Sequence, residues 1–323
     1  MVSRSALEQD GQLDAWGDYI PATSSMTTSQ ENLQTCWLNQ FSALKISGPD
    51  AERFLQGQLT CNVSDITVDT AHYGACCTAK GRIVANFNIS FDGINYWLVL
   101  PASSADILAK HLQKYKVFFK ANIKNCQQSH LILGQWTNDG IASHNHNVHR
   151  LVLSESRSLV IIEEGSSYLY NLSPTRDWRL ADIAAGLYYV EGSQVEQWIP
   201  QHINWHLIGG VSFSKGCYTG QEIVARLQYL GKTKKALYFY RFEGTKTLPV
   251  SPELLSAKNL FDLSHKPQGD ILMLRSQSQE QQNTLDLLVV SQGENPAEIL
   301  YLTESPDFPL TLQNLPYTIE KDT

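Results

Sequence analysis

Apolar residues along this chain switch between two spacings, and the switching predicts a mixed fold. Short runs rich in β-branched and aromatic side chains predict strands at Ala43 to Ile46, Ile83 to Phe91, Tyr96 to Leu100, Leu131 to Leu133, Leu159 to Glu163 and Tyr168 to Leu172. Asp92-Gly93 between the second and third of these is a strong hairpin signal. Helical spacing takes over elsewhere. Ser47-Gly48-Pro49-Asp50 opens a helix that carries Phe54, Leu55 and Leu59, with proline near its first turn. A second helix runs from Ser104 to about Tyr115, with Ile107, Leu108, His111 and Leu112 on one face. A third runs from Trp178 to Leu187, capped by Asp177, with a stripe of Leu180, Ile183, Ala184 and Leu187. A fourth begins at about Gly220, where Thr219 and Glu222 form a T-x-x-E capping box. Ile223, Val224, Leu227 and Leu230 then follow at helical spacing, and Gly231 is the stop.

The pattern changes after Gly231. Ala236 to Phe242, Asp270 to Arg275, Leu285 to Ser291 and Glu298 to Thr303 are strand-like, and turn-rich polar segments separate them, including Ser276 to Gln282. Strands without helices predict a small β-barrel or sandwich. The fold class is therefore α+β. The chain divides into an N-terminal arm (1–32), an α+β region of two subdomains (33–230) and a C-terminal β domain (231–323), with the main boundary at Leu230 to Lys235.

At 323 residues the chain has room for a large core in two or three domains. Its 42% hydrophobic and 18% charged content is that of an ordinary soluble globular protein. A net charge of −7 argues against a dedicated nucleic-acid binder. Cys36, Cys61, Cys76, Cys77, Cys126 and Cys217 show neither C-x-x-C nor zinc spacing, which points to reduced thiols in the cytoplasm. The N-terminus has no signal-peptide apolar core, and no apolar stretch is long enough to span a membrane.

The run Lys215-Gly216-Cys217-Tyr218-Thr219-Gly220-Gln221-Glu222 carries the most chemistry. It places a thiol just ahead of a helix start and two residues from a lysine. Both neighbours favour thiolate over thiol, which suits redox, metal or nucleophilic work. Buried cysteine in a tight glycine turn is the competing reading, and spacing alone leaves both open. Trp178 either offers a flat face to a heterocycle or packs in the core. Segment 107 to 138 has no acidic residue and interleaves Lys110, Lys114, Lys116, Lys120 and Lys124 with Tyr115, Phe118 and Phe119, a patch for an anion or simply a solvated face. His144, His146 and His149 sit among asparagines with no ligand-spaced partner and are not read as a metal site. The glycines match no dinucleotide or P-loop pattern, and there is no G-x-S-x-G elbow.

The octapeptide resembles the signature of the YgfZ family of bacterial tRNA-modifying, folate-binding proteins, relatives of the glycine cleavage T-protein. Further matches follow in order: Ile46-Ser47-Gly48, Phe54-Leu55-Gln56-Gly57-Gln58-Leu59-Thr60, Ala79-Lys80-Gly81-Arg82, Lys114-Tyr115-Lys116-Val117-Phe118, Ile199-Pro200-Gln201 and Gly209-Gly210-Val211-Ser212-Phe213. The resemblance covers about residues 41 to 240 well. It implies two ferredoxin-like α+β domains and a C-terminal small β-barrel around a central pocket for tetrahydrofolate or a derivative. It implies support of iron–sulfur cluster assembly or repair, with iron–sulfur proteins, including tRNA-modifying enzymes, as partners. It makes Cys217 the critical thiol, supported by Lys215, Gly216, Tyr218, Thr219, Gly220, Gln221 and Glu222, and associates Phe41 and Trp178 with folate. It implies an accessory protein in place of a classical enzyme; any turnover would be that of a tetrahydrofolate-dependent transferase. Two positions depart from the T-protein pattern. Ala85 and Asn86 stand where an aspartate pair is expected, which disfavours aminomethyl transfer, and Ala184 stands where relatives often have glutamate. A one-carbon transferase and a scaffold with a buried cysteine are the alternatives.

Overall fold

The computed structural model describes residues 2–22, 33–68, 70–137, 148–167, 172–230, 233–246, 260–264, 266–279, 282–292, 296–302 and 308–319. The chain forms two compact units. The first takes Met1–Trp178, Tyr189–Ile199 and Gly209–Ala225, and the second takes Arg179–Tyr188, Pro200–Ile208 and Arg226–Thr323.

In chain order the strands of the first unit are β1 (Gly11–Leu13), β2 (Tyr19–Pro21), β3 (Gln34–Trp37), β4 (Phe41–Ser47), β5 (Ala71–Cys77), β6 (Ile83–Phe91), β7 (Tyr96–Pro101), β8 (Asn122–Asn125), β9 (His130–Trp136), β10 (His149–Val152) and β11 (Arg157–Glu163). Its helices are α1 (Arg4–Gln9), α2 (Ala51–Gln56) and α3 (Ala102–Gln113). Two further helices, α4 (Thr175–Ala184) and α5 (Gln221–Tyr229), begin in the first unit and end in the second. The second unit holds β12 (Lys235–Gly244), β13 (Asp270–Gln279), β14 (Gln282–Gln292), β15 (Ile299–Tyr301) and β16 (Pro309–Gln313).

The first unit is built on two larger antiparallel sheets, ordered β5-β6-β7-β4-β8 and β10-β11-β9-β3, beside a two-strand ribbon of β1 and β2. Leu44, Ile46, Phe87, Ile89 and Leu98 from the five-strand sheet meet Phe54 and Leu55 of α2 and Leu108 and Leu112 of α3 in one core. Trp37, Leu131, Leu133, Val160 and Ile162 form a second core with Leu7 and Tyr19. The Asp92-Gly93 turn is present as expected, with Gly93 at φ +92. The Asp92 carboxylate accepts from Ile94 N at 2.8 Å, Asn95 N at 2.6 Å and Trp97 Nε1 at 2.6 Å.

Several element ends differ from the sequence expectation. α2 stops at Gln56, so Leu59 lies beyond it and bridges Cys76. α3 starts at Ala102; Ser104 is no cap, because its hydroxyl donates to Val190 O at 2.7 Å. α4 starts at Thr175, whose hydroxyl donates to Trp37 O at 2.6 Å, so Asp177 lies inside the first turn and is not the cap. An acid there still faces the favourable end of the helix dipole. Most of the Tyr168 to Leu172 expectation, and the Gly231 stop, lie outside the described residues.

In the second unit the strand order is β13-β14-β12-β16-β15, all antiparallel. The polar stretch from Ser276 was expected to be a turn, but it continues β13 to Gln279. Register pairing with β14 (Gln277↔Thr284, Ser278↔Asn283) satisfies its backbone, so polarity alone misread it. Among the described residues no strand pairing joins β15 to β13, so the expected barrel is seen only as an open five-strand sheet. No helix among the described residues is long and apolar enough to cross a membrane.

Candidate functional site around Cys217

The loop that carries Cys217 is tied from both sides to the segment between α2 and β5. Upstream, Thr60 Oγ1 donates to Gly210 O at 2.6 Å and accepts from Ala75 N at 2.9 Å, while Ser212 N donates to Thr60 O at 2.9 Å. Thr60 thus ties the Gly209-Gly210-Val211-Ser212 segment to β5. Downstream, Thr219 N donates to Gly57 O at 3.2 Å and the Thr219 hydroxyl donates to Gln58 Oε1 at 3.4 Å. That hydroxyl is therefore not the N-cap acceptor the T-x-x-E reading expected. Gly220 takes the cap position instead: its φ is +87 and its carbonyl accepts the first helical bond, from Val224 N at 3.3 Å. A side chain at Gly220 would strike the Thr78 carbonyl oxygen. Gly81, at φ +69, presses against Ile223 of α5, where a Cβ would come within 2.9 Å. The two glycine turns, far apart in sequence, therefore interlock, and only glycine fits both the approach and the backbone angle.

Lys215 faces inward. It is 9% exposed, and its Nζ donates to Gln56 O at 2.8 Å, Leu59 O at 2.7 Å and Cys61 O at 2.8 Å. All three protons of the ammonium are used on carbonyls left over at the end of α2 and in the turn that follows. Burial lowers its pKa to about 8, with the nearby Cys61 pushing the other way, so the group remains charged at neutral pH. These three bonds make the lysine a clamp on the loop. Its ammonium also lies 5.2 Å from the centre of the Tyr218 ring. Tyr218 is buried, its hydroxyl has no hydrogen-bond partner among the described residues, and burial together with Cys77 raises its pKa.

Cys217 lies between these two inward-facing side chains and is exposed, as is Gly216. A Cβ at Gly216 would meet nothing within 4 Å. The other five cysteines are buried. Burial raises Cys61 to about 11 and Cys76 to about 12, and lifts Cys77 and Cys126 as well. The loop therefore presents one reachable sulfur from a fixed backbone, four residues ahead of the first residue of α5.

The two aromatic positions are placed differently from an open platform. Trp178 is 3% exposed. The Arg157 guanidinium carbon sits 3.9 Å from its ring centre, Trp136 meets it edge-on at 6.1 Å, and the Gly134 backbone lies so close that a Cβ there would come within 2.6 Å of Cε3. Phe41 is buried and meets Tyr189 edge-on at 5.4 Å. No sequence pattern pointed to Tyr189. Its hydroxyl accepts from Asn88 Nδ2 at 2.6 Å, and the other Asn88 side-chain atom, Oδ1, is buried without a partner among the described residues. Asn86 is fully buried and its Oδ1 accepts from Val190 N at 2.7 Å. Ala184, the last residue of α4, is exposed. Of the three histidines, His144 and His146 lie outside the described residues, and His149 Nε2 is 2.7 Å from the Ser90 hydroxyl.

Known proteins resemble this chain in sequence and in fold. The GCVT N-terminal domain family model matches residues 22–135. The chain is 30% identical to the tRNA-modifying protein YgfZ of Colwellia psychrerythraea, over 87% of this chain and 92% of the relative. It is 27% identical to the YgfZ proteins of Vibrio atlanticus, over 96% of this chain and 100% of the relative, and of Escherichia coli, over 94% and 98%. The fold matches the glycine cleavage system aminomethyltransferase T of Bartonella henselae with a TM-score of 0.65 at 13% identity, covering 97% of this chain and 96% of that one. The fold is thus that of an aminomethyltransferase, and the chain belongs to the YgfZ family of tRNA-modifying proteins.

Proposed function

We propose that this chain is a cytoplasmic, folate-binding accessory protein that supports iron–sulfur cluster assembly or repair and, through iron–sulfur enzymes, tRNA modification. The observation that carries the reading is the exposure of Cys217 on a loop that Lys215 holds with three carbonyl bonds. A thiol that only fills space needs neither a reachable sulfur nor a clamped backbone beneath it. The scaffold alternative rested on a buried cysteine and is set aside for that reason.

The family membership and the aminomethyltransferase fold favour tetrahydrofolate or a derivative as ligand. In this reading a pterin stacks on Trp178 in the place now taken by the flat Arg157 guanidinium, and Phe41 lines the same region. Arg157, once displaced, is available to an acidic tail. One-carbon transfer is disfavoured at Asn86, a neutral amide already engaged with Val190 N, which takes no proton from a substrate amine. The proposed division remains an arm at 1–32, the folate-binding α+β region at 33–230 and the C-terminal domain at 231–323.

The test is calorimetric titration with tetrahydrofolate, using the native chain and Trp178→Ala, together with measurement of thiolated tRNA nucleosides in cells lacking the protein. Saturable binding weakened in the variant, and nucleosides restored by the native chain, support the reading. Absence of binding removes the ligand, and unrestored nucleosides remove the tRNA role.

A further inference from the structure

Between α3 and β8 the chain holds an apolar tip in solvent. Phe118 is 89% exposed, Val117 77% and Tyr115 38%. The tip is fixed in place. Phe119 N donates to Lys116 O at 2.8 Å, and Lys120 N donates to Asp50 Oδ2 at 2.8 Å. Phe119 turns inward to Phe54, with ring centres 5.4 Å apart, and carries the Arg53 guanidinium 5.2 Å from its own ring centre. Gly48, at φ +110, passes so close that a side chain there would strike the Lys120 carbonyl oxygen. Nothing in this bonding needs Phe118 to face outward, yet it does.

Lysines surround the tip. Lys110, Lys114, Lys120 and Lys124 are exposed and Lys116 is half-buried, and among the described residues none of the five forms an ion pair. Lys124 faces Lys45 directly in the β8–β4 register, a like-charge pairing that costs stability. Lys45 rests its ammonium 5.1 Å from the Trp97 ring centre. The acids at the base are occupied: Asp50 by Lys120 N and Arg53, and Asp106 by the Asn125 amide. In a chain of net charge −7, this is a local concentration of unneutralised positive charge around exposed rings.

We propose that the Lys114–Lys124 tip binds a single-stranded segment of RNA, with Phe118 stacking on a base and the surrounding lysines neutralising phosphates. Stacking needs one open ring face, and Phe118 offers it. A protein partner would need a broad apolar centre of roughly 800 Å² per side, which three side chains on a projecting tip do not provide. The surface shares no residue with the Cys217 loop. It adds a direct RNA contact to a protein whose effect on tRNA is otherwise relayed through partner enzymes, and it holds whether or not the thiol acts.

The test is fluorescence anisotropy of a labelled oligouridylate of about 12 nucleotides titrated with the full chain at about 50 mM salt. The native chain binds. Phe118→Ala weakens binding roughly 10-fold with an unchanged circular dichroism spectrum, since the side chain is 89% exposed. Replacing Lys114, Lys116 and Lys120 together by glutamine reduces the slope of log affinity against log salt by roughly 2. No binding by the native chain, or equal affinity in Phe118→Ala, overturns the proposal. So does tighter binding of an oligoglutamate peptide that the same variants abolish, which would make the tip a dock for an acidic protein.

Discussion

The Nζ of Lys215 lies 2.7 Å from the carbonyl oxygen of Leu59, a residue 156 positions earlier in the chain. That bond and its two companions make the loop of Cys217 a continuation of the turn after α2. Lys215→Met keeps the stem and removes the charge, leaving three carbonyls without their donor. Urea unfolding should show a loss of about 3 kcal/mol. A loss under about 0.5 kcal/mol, the range of ordinary surface substitutions, would mean that the clamp does not hold the loop.

Two glycines of the same octapeptide should respond in opposite ways. Gly220→Ala forces a side chain into the Thr78 carbonyl at a φ of +87 and should cost about 2 kcal/mol or more. Gly216→Ala meets open space and should stay within about 0.5 kcal/mol of the native chain. Thermal unfolding of the pair reads the contrast directly, and equal effects would contradict the interlocked-turn geometry.

Thiol reactivity separates Cys217 from the other five cysteines. A disulfide-exchange reagent should modify one thiol per folded chain and all six after denaturation. Raising the pH to about 9 should recruit neither Cys61 nor Cys76, which burial has pushed to about 11 and about 12. Two or more fast-reacting thiols in the folded chain would contradict the burial pattern.

In the second unit, burial lowers the pKa of His206 from 6.5 to about 4. Between those values the unfolded chain binds a proton that the folded chain refuses, so stability rises with pH across this window and falls as pH drops from 6.5 toward 4. His206→Gln should flatten that part of the stability profile. An unchanged slope in the variant would assign the acid sensitivity to other groups.

Much of this architecture is legible in the sequence, because its cause is local. Short runs rich in β-branched and aromatic side chains placed β6 and β7, and Asp92-Gly93 placed the turn between them, since neighbouring residues decide those features. The octapeptide left Cys217 open between exposed and buried, and the fold exposes it. What was misread or left open depends on partners distant in sequence. The clamp made by Lys215 could not be read from sequence, because its carbonyl ligands lie 154 to 159 residues away. The start of α4 was placed late because Thr175 is held by Trp37, 138 residues earlier. Ser276 to Gln279 looked like a turn because its strand character comes from β14. Trp178 was left between platform and core, because nothing nearby in sequence announces Arg157 lying on its ring.

The account turns on Cys217 as the acting group, and functional rescue tests it most directly. Native, Cys217→Ser and Cys217→Ala chains would be expressed at matched levels in cells lacking the protein, and the activity of an iron–sulfur tRNA-modifying enzyme measured. The native chain should restore activity, and both variants should fail while folding normally, because the side chain is exposed and the clamp beneath it is intact. Full rescue by Cys217→Ala would contradict the account.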